Sequence, residues 1–359
     1  MVPVAFTKAK AARSPRRVTM RDLARMAGVS AITVSRALSP DGAAAVKPAT
    51  RARIAQLAHK WDFRLNRMAR ALGGGSTQTV ALILPDVETN HFLASAYYTT
   101  VVMHALAVLK ARQIDLKVHS VRANAPVALI TDLLPQLVVD GLLVAGIDIY
   151  DDAPARAVRG VPLVLLNCGA MPAVCVIDAD NAAGGRLAVA HFLDHGHRAL
   201  GMLCGPRTNR NARDRQHGYR AALQARGVPV RAAWFVHSGF GVREGYVAAQ
   251  RVLALRQRPT ALFCANDELA LGALSALRAH GLCCPRDLAI IGFDDMPTAQ
   301  YAEPPLTTIA QPLEAMVRAA LDNLLTLIAG ATPPLRTVFP VALVERASVA
   351  QPVPATTHA

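Results

Sequence analysis

Residues 19–38 (TMRDLARMAGVSAITVSRAL) most constrain the fold of this chain, because they have the pattern of two short helices joined by a tight turn. Thr19 and Asp22 have the spacing of a capping box, which predicts a helix that begins directly after Thr19. Gly28 suits the turn, since glycine adopts a left-handed backbone at little cost. Ser30 is expected to cap the second helix through its hydroxyl. The pattern therefore predicts a helix-turn-helix.

The second helix of this motif is predicted to have one buried and one outward face. Val34 and Leu38 lie four residues apart and are expected to pack against the first helix. Thr33, Ser35 and Arg36 then point outward, where such side chains suit a DNA groove and its phosphates. An ordinary helical hairpin has the same turn, so the motif favours DNA binding without excluding that simpler structure.

The basic residues are concentrated at the start of the chain. Residues 1–70 hold fifteen Lys and Arg against three Asp, whereas the other 289 residues hold 24 basic and 22 acidic residues. Nearly all of the formal net charge of +14 therefore lies in the first fifth of the sequence. Such asymmetry is typical of a surface that binds a polyphosphate. Residues 1–17 are predicted to form a basic disordered arm.

The rest of the composition disfavours several classes of protein. The 359 residues suffice for two or three domains. No apolar run approaches the roughly 18 residues of a membrane helix, and no apolar secretory segment is visible. The six cysteines form no Cys-x-x-Cys pair, which is typical of free thiols in a reducing compartment. We therefore expect a cytoplasmic protein with no membrane partner.

Beyond the motif, a third helix and a linker are predicted. The helix begins at Pro48, and Ile54, Leu57 and Trp61 belong to an apolar stripe that is expected to pack on the first two helices. After a short basic segment, Gly73-Gly74-Gly75-Ser76 predicts a flexible linker.

From residue 79 onward, strand-like apolar runs alternate with helical segments. The predicted strands are Val80–Leu84, Leu116–His119, Gly141–Ala145, Leu163–Leu166, Ala199–Cys204, Ala261–Cys264 and Leu288–Gly292. The predicted helices are Leu93–Arg112, Asn181–His195, Arg213–Arg226, Glu244–Leu255 and Glu268–His280. Strict alternation predicts parallel sheets covered on both faces, and the length favours two doubly wound subdomains. Ligands of such folds bind at the carboxyl ends of the strands.

A series of short motifs runs through the whole chain. In order, they are Val29-Ser30-x-x-Thr33-Val34-Ser35-Arg36-x-Leu38, Asn66-Arg67-x-Ala69-Arg70-x-Leu72, Leu84-Pro85-Asp86, Asp140-Gly141, Asp180-Asn181, Gly196-His197-Arg198, Ala265-Asn266-Asp267, Gly292-Phe293-Asp294-Asp295 and Pro305-Leu306-Thr307-Thr308-Ile309-x-Gln311-Pro312. Together they resemble the lactose-repressor (galactose-repressor) family of bacterial transcriptional regulators over about residues 18–348.

The resemblance implies an N-terminal all-α helix-turn-helix head plus an α/β periplasmic-binding-protein-like core of two doubly wound parallel-sheet subdomains. The implied segments are a basic arm at 1–17, a DNA-binding domain at 18–64, a hinge helix and linker at 65–77, an effector-binding and dimerisation core at 78–348 and a disordered tail at 349–359. Within the core, one subdomain is expected at 78–179 with 312–340, and the other at 180–308 with 341–348.

The family resemblance also implies the residues that contact operator DNA. They are Thr19, Ser30, Ala31, Ile32, Thr33, Ser35, Arg36, Asn66, Arg67, Ala69, Arg70 and Leu72. In this family the hinge becomes helical on the operator, and Leu72 from each subunit is expected to wedge into a minor-groove step. A leucine that merely ends a linker is the simpler alternative. Ala31 and Ile32 offer only apolar contacts to bases, so Thr33 and Arg36 are expected to supply the polar ones.

An effector pocket between the two subdomains is implied in the same way. Its expected residues are Asp86, His91, Phe92, Asn167, Asn209, Arg213, Phe240, Asn266 and Asp294. Asp294 and Asn266 can exchange hydrogen bonds with adjacent hydroxyls, Arg213 offers a planar fork, and Phe240 offers a flat wall to a sugar face. Singly, the Asp and Asn residues could instead cap turns or helices.

The arginines near this pocket favour a particular ligand class. Arg207, Arg210, Arg213 and Arg215 crowd one loop that leads into a helix N-terminus, which suits an anion. Some segments are similar to the gluconate-responsive branch of the family. We expect a sugar, a sugar acid or a sugar phosphate as effector, although arginines beside a cleft also occur without a ligand.

Enzymes and free-standing sugar-binding proteins are the alternative classes. His191, His195 and His197 have a spacing that a metal site could use, yet no carboxylate or Cys follows at ligand spacing, so no metal site is predicted. The Gly73–Ser76 segment lacks the Lys of a phosphate loop, and no Gly-x-Ser-x-Gly elbow occurs. We expect neither catalysis nor a cofactor. A secreted sugar-binding protein would have no use for the basic head.

The function that the resemblance implies is a sequence-specific transcriptional regulator, expected to be a repressor, that binds double-stranded operator DNA. Two-fold operators require a two-fold protein, so a homodimer is expected. The segment after Arg346 lacks the leucine heptads that would join dimers into tetramers. Effector binding is expected to shift the hinge between its ordered and disordered states, with a sign that the sequence leaves open.

Overall fold

The computed structural model describes residues 18–38, 45–63, 76–86, 95–122, 137–147, 160–169 and 173–352. The chain divides into two compact units, Met1–Thr77 and Gln78–Ala359. Among the described residues, no helix is long and apolar enough to span a bilayer.

The first unit contains a small helical head. Its helices are α1 (Met20–Ala27), α2 (Ala31–Leu38) and α3 (Pro48–Lys60). Thr19 and Asp22 form the predicted capping box, in which the Asp22 amide donates to the Thr19 hydroxyl at 3.3 Å and the Thr19 amide donates to the Asp22 carboxylate at 3.1 Å. Gly28 ends α1 with φ of 62°, in the left-handed region where glycine carries no steric cost. The predicted helix-turn-helix is confirmed.

One apolar side chain from each helix forms the centre of the head. Leu23, Val34 and Ile54 are fully buried together. Leu57 packs against this cluster at its edge. The prediction that Trp61 completes the stripe is wrong: it follows the end of α3, and 48% of its surface is exposed. The reason is that the backbone leaves helical geometry at Trp61, so the helical spacing no longer directs its side chain inward.

The second unit contains two sheets with helices on their faces. The strands are β1 (Thr79–Asp86), β2 (Asp115–Arg122), β3 (Gly141–Ala145), β4 (Leu163–Leu166), β5 (Cys175–Ala179), β6 (Leu200–Leu203), β7 (Phe235–Val236), β8 (Ala261–Cys264), β9 (Ala289–Asp294), β10 (Thr307–Ala310), β11 (Arg336–Phe339) and β12 (Ala342–Val344). The helices are α4 (Ala96–Lys110), α5 (Asn181–Asp194), α6 (Arg210–Ala225), α7 (Val242–Leu253), α8 (Asp267–Ala279), α9 (Pro297–Gln300) and α10 (Leu313–Ile328), with a 3₁₀ turn at Ala232–Trp234.

Each sheet has six strands among the described residues. The first sheet has the order β11-β5-β4-β3-β1-β2, and the second has the order β12-β10-β9-β8-β6-β7. The pairs are parallel, apart from the antiparallel pair of β10 with β12. The central strands are buried along their whole length, as expected of sheets covered on both faces. The predicted fold class, a helical head with two parallel-sheet α/β subdomains, is confirmed.

The chain passes between the two sheets three times. It crosses after β5, returns from β10 to α10, which packs on the first sheet, and crosses again between β11 and β12. All seven predicted strands and all five predicted core helices have counterparts at nearly the same positions. Strands β5, β7, β10, β11 and β12 and helices α9 and α10 are additional to the predicted elements.

Helices α5 and α6 approach each other more closely than side chains allow. A Cβ atom built on Gly218 would overlap the carbonyl group of Ala182, and one built on Gly185 would overlap the backbone at Arg215. These glycines therefore bring the two helix backbones together and fix where α6 lies along α5. That position matters because α5 and α6 carry polar residues of the site described below.

We expect Gly218→Ala to lower the free energy of unfolding by about 1–3 kcal/mol, because the added methyl has only backbone to displace. The matched control is Gln224→Ala, an exposed position on the same helix, where the change should be small. Urea unfolding of the two variants measures the difference. Equal stabilities would contradict the proposed close packing of α5 on α6.

Candidate functional site

The outward face of α2 has the surface expected of a recognition helix. Arg36 is exposed, and Ile32 is 65% exposed although it is a large apolar residue. The Ser30 hydroxyl accepts a hydrogen bond from the Thr33 amide at 3.1 Å and lies 2.9 Å from the Thr33 hydroxyl. Ser30 therefore caps α2, and this contact restrains the two hydroxyls at its N-terminus.

The other residues of the predicted DNA contact set divide into two groups. Thr19 is exposed, whereas Ala31 and Ser35 are partly buried. Five predicted hinge residues lie outside the described part of the chain: Asn66, Arg67, Ala69, Arg70 and Leu72. Among the predicted effector residues, His91 and Phe92 also lie outside it, as does the side chain of Asp86 at the end of β1.

A polar cavity lies in the second unit, where elements of the two sheets meet. It is lined by Ser95, Tyr97, Tyr98, Gly146, Asn167, Asn209, Asn211, Arg215, Phe240, Asn266 and Asp294. Five of the predicted effector residues are in this set: Asn167, Asn209, Phe240, Asn266 and Asp294. The cavity measures about 60 Å³, well below the roughly 300–1,000 Å³ of typical ligand pockets.

Two of these asparagines also cap helices. The Asn209 side-chain oxygen accepts from the Ala212 amide at 2.9 Å at the start of α6, and the Asn266 oxygen accepts from the Leu269 amide at 2.9 Å at the start of α8. The Asn266 amide group also donates to the carbonyl of Phe240 at 3.1 Å. Capping therefore fixes the orientation of these side chains and places two helix N-termini at the cavity.

The buried guanidinium of Arg215 is the centre of the site. Its Nε donates to the Asn181 side-chain oxygen at 2.8 Å, and a terminal nitrogen donates to the carbonyl of Ala265. Its other terminal nitrogen lies 3.6 Å from an Asp294 carboxylate oxygen, and both side chains are only 6% exposed. The guanidinium carbon also lies 3.6 Å from the centre of the Phe293 ring. Arg215 thus binds residues of three separate elements.

A chain of side-chain hydrogen bonds runs from Asp294 to the other subdomain. The Gln311 amide group donates to Asp294 at 2.6 Å, and the Gln311 oxygen accepts from the Asn167 amide group at 3.0 Å. The same amide group of Asn167 donates to the Tyr97 hydroxyl at 2.7 Å. In addition, Asn211 on α6 donates to the Asn167 carbonyl at 2.9 Å.

Two residues of the cavity have a left-handed backbone. Asn167 has a φ of 53° and Asp294 a φ of 112°, in the region that L-residues rarely adopt. Such conformations persist where the surroundings determine them, and they concentrate at functional sites. Both residues directly follow or end a buried strand, so these turns aim their side chains into the cleft.

Burial shifts the pKa of each ionisable group in the network. It raises the pKa of Asp294 to about 6, although Arg215 and the hydrogen bond from Gln311 oppose the shift. Burial lowers the pKa of Arg215, while the nearby Asp294 raises it again. Burial also raises the pKa of the Tyr97 phenol above its ordinary value, which keeps this hydroxyl neutral. At neutral pH the site therefore combines one compensated ion pair with several neutral donors and acceptors.

The structure places the guanidinium of Arg215, rather than that of Arg213, at this cavity. Arg213 is exposed and is not among the lining residues, so the expectation of its planar fork in the pocket is corrected. Two residues along an α-helix are rotated by about 200°, which puts these side chains on opposite faces of α6. The other residues that sequence reasoning missed are Ser95, Tyr97, Tyr98, Gly146 and Asn211. Gly218 lies three residues after Arg215 and therefore on the same face of α6, the face that packs on α5. This spacing is the sequence signal that could have identified Arg215 as buried.

A larger cavity of about 640 Å³ lies beside this site and shares Asp294 with it. Its other lining includes the exposed residues Glu314 and Arg318 and the partly buried Asp322 of α10. Arg318 pairs with Glu314 at 3.1 Å, so these two opposite charges in the cavity wall neutralise each other. Buried, oriented polar groups converge at the smaller cavity, which makes it the candidate effector site.

The comparisons with known proteins agree with this geometry. Residues 19–66 match the pattern of bacterial regulatory proteins of the lacI family, and residues 189–349 match that of periplasmic binding protein-like domains. The repressor PurR of Haemophilus influenzae is 32% identical over 313 residues, covering 86% of this chain and 90% of its own length. The chain belongs to the lacI family of bacterial regulatory proteins. It is accordingly a DNA-binding transcriptional regulator with an effector-binding core.

Solved structures of the family show the same architecture. The lac repressor dimer bound to operator and the anti-inducer ONPF matches with a TM-score of 0.80 and 26% identity, over 93% of this chain and all of that chain. The complex of the transcriptional regulator CelR with cellobiose matches with a TM-score of 0.69 and 30% identity, over 92% of this chain and all of that chain. The lac repressor thus binds its operator as a dimer, and CelR binds cellobiose.

Substitution of the two arginines separates their roles. Arg215→Lys keeps the charge but loses the planar fork that reaches Asn181, Ala265 and Asp294, so ligand binding should be lost. Arg213→Lys, the matched control on the exposed face of α6, should bind as the unsubstituted protein does. The shift in melting temperature on adding ligand measures both. A loss of that shift only in the Arg213 variant would contradict the assignment.

Ligand affinity should depend on the protonation of Asp294. Since its pKa is about 6, the carboxylate is ionised at pH 7.5 and mostly protonated at pH 5, so affinity should fall about tenfold over this range. The raised pKa has the opposite effect on folding: below pH 6 the folded chain holds a proton more tightly than the unfolded chain, so this group favours folding at lower pH. Calorimetric titration at both pH values tests the affinity, and Asp294→Asn should remove the dependence.

Proposed function

We propose that this regulator is a repressor whose operator affinity is controlled by a polyhydroxylated, sugar-like ligand bound between its two subdomains. The observation that carries the proposal is the buried set of Asn167, Arg215, Asn266 and Asp294 beside the ring of Phe240. Carboxylate, amide and guanidinium groups discriminate adjacent hydroxyls, and a flat apolar ring suits the face of a sugar. The CelR relative, in complex with cellobiose, supports this ligand class.

Charge compensation favours a neutral ligand over the expected sugar acid or sugar phosphate. Of the four arginines that suggested an anion, Arg215 alone lines the cavity, and Asp294 lies beside it. Arg207 and Arg213 are exposed, and Arg210 lies 3.6 Å from Asp214. An anion would therefore meet a carboxylate as well as a guanidinium in the cavity, whereas neutral hydroxyls pair with both.

Ligand entry requires the cavity walls to move apart, because a cavity of about 60 Å³ is well below the roughly 300–1,000 Å³ of typical ligand pockets. Hydrogen bonds across the cleft hold the walls together. The Ala96 amide at the start of α4 donates to Glu268 of α8 at 2.9 Å, and Asn211 donates to the Asn167 carbonyl. A ligand that replaces or completes these bonds shifts the balance between open and closed subdomains, and this differential binding is the source of regulation.

On the DNA side, we propose a homodimer that places two copies of α2 in successive major grooves, as two-fold operators require. Arg36 supplies a polar contact to bases or phosphates, while the exposed Ile32 contacts thymine methyl groups. As the family resemblance implies, we further propose that Leu72, which lies outside the described residues, inserts into the minor groove and bends the DNA. The lac repressor dimer on its operator supports this arrangement.

Replacement of Arg36 by Ala should reduce operator affinity by about tenfold to a hundredfold, as expected for the loss of one good side-chain contact to DNA. Its effector binding should remain unchanged, because Arg36 lies in the helical head. The matched control is Arg251→Ala, an exposed arginine of α7. Fluorescence anisotropy on a DNA site selected in vitro with the unsubstituted protein gives both affinities. Equal affinities of the Arg36 variant and the control would rule out α2 as the recognition helix.

The ligand class is tested by thermal shift with a panel of neutral sugars, sugar acids, sugar phosphates and purines. A ligand that binds the folded chain raises its melting temperature by mass action. Neutral sugars should stabilise the protein, and the best of them should then change its operator affinity. Stabilisation by anions alone would contradict the argument from charge compensation. A ligand that stabilises the protein without changing operator affinity would contradict its regulatory role.

A further inference from the structure

Three potential metal ligands meet at one end of α5. His191 and His195 lie one turn apart at the C-terminal end of this helix, and Glu345 directly follows β12. One ligand atom from each of the three side chains lies within 4.8 Å of the other two, and the His195 Nε2 is 3.9 Å from a Glu345 oxygen. The imidazole rings are 4.3 Å apart between their centres. This cluster is separate from the effector cavity.

The orientation of the two imidazoles suits metal binding. The Nδ1 of His195 lies 2.9 Å from the His191 carbonyl, which can only accept, so this nitrogen carries the proton and Nε2 has a free lone pair. Such a hydrogen bond is the usual way in which a metal-binding histidine is oriented. His191 is only 7% exposed, and its Nε2 has no hydrogen-bond partner among the described residues.

A buried nitrogen without a partner is costly, and that cost needs an explanation. His197, the third histidine of this segment, shows the contrast. Its two ring nitrogens pair with the Thr260 hydroxyl at 2.9 Å and the Ala350 carbonyl at 2.8 Å, so it is a satisfied structural histidine. Among the described residues, His191 has no equivalent partner for Nε2, and one of its ring nitrogens belongs to the cluster with His195 and Glu345.

The distances and charges fit a divalent transition-metal ion. In tetrahedral zinc sites, metal–ligand distances of about 2.0–2.1 Å place neighbouring ligand atoms roughly 3.3 Å apart. The His195–Glu345 distance is close to this value, and Glu345, with its side chain 63% exposed, is free to move closer. The carboxylates of Glu345 and Asp194 and the negative end of the α5 dipole favour a cation here. Arg346 is next to Glu345 in the chain, but its guanidinium pairs with Asp295 at 2.7 Å.

We propose that His191, His195 and Glu345 bind a divalent transition-metal ion such as Zn²⁺ through one imidazole nitrogen of each histidine and one carboxylate oxygen. Imidazole with one carboxylate is a donor set that zinc accepts, and a fourth position remains for water. The bound ion joins α5 to the segment after β12, the strand through which the last crossover enters the second sheet. The third ligand lies far along the chain from the histidines, and for this reason sequence spacing predicted no metal site.

The test is a calorimetric titration of the full chain with Zn²⁺ in a non-thiol reductant. One ion per chain should bind to the unsubstituted protein, and His195→Gln should abolish binding at that site. Glu345→Gln should weaken it by at least the roughly tenfold that loss of even a supporting group costs at metal sites. Both substituted side chains are partly exposed, so these variants should fold.

The matched control is His280→Gln. His280 ends α8 as His195 ends α5, and its Nδ1 pairs with a carbonyl four residues back at 2.8 Å. This variant should bind Zn²⁺ like the unsubstituted protein. Substitution of Zn²⁺ by Co²⁺ adds a spectroscopic readout, since nitrogen and oxygen ligands give visible bands without the intense near-ultraviolet charge-transfer band of thiolates such as exposed Cys283.

No saturable binding to the unsubstituted chain would overturn the proposal. Binding that His195→Gln and Glu345→Gln leave unchanged would also overturn it, as would a cobalt spectrum with thiolate charge transfer. Binding that is lost in both variants and retained in His280→Gln would support it.

Discussion

The arrangement of the core depends on one buried ion pair, whose two charged groups need hydrogen-bond partners from several elements. Arg215 and Asp294 are both withdrawn from water, and a buried charge without partners costs several kcal/mol. Asn181, Ala265 and Gln311 supply the remaining hydrogen bonds, from α5, the end of β8 and the crossover after β10. Each of these elements must therefore hold its position for the pair to be stable. The glycines that let α6 lie against α5 belong to the same requirement.

The same network connects structure to regulation. Gln311 lies between Asp294 of the second subdomain and Asn167 of the first, so a change at one wall of the cavity reaches the other through two hydrogen bonds. The cavity is small, and direct hydrogen bonds join its walls. A ligand must therefore compete with, or add to, contacts that hold the subdomains together. Under the proposed function, ligand binding and subdomain closure are one equilibrium, which is the condition for an effector to alter DNA binding.

Sequence reasoning predicted features that depend on local spacing and missed those that depend on three-dimensional proximity. The capping box at Thr19, the turn at Gly28 and most core strands follow from patterns within a few residues. Asn167, Asn209, Phe240, Asn266 and Asp294 were expected near the ligand, and the structure places them around one cavity.

The misses have clear physical reasons. Arg213 and Arg215 are close in sequence but lie on opposite faces of α6, and only the packing of α6 on α5 decides which is buried. Tyr97 lies in an apolar helix, with no local sign of its hydrogen bond to Asn167. Strands as short as β7 and β12 are set by the neighbours that they pair with.

A crystal structure with the neutral sugar that stabilises the protein most is the most direct test of the account. It should show the sugar stacked on Phe240 with its hydroxyls bonded to Asp294 and Asn266, whereas a sugar bound only in the larger cavity beside Arg318 would contradict it.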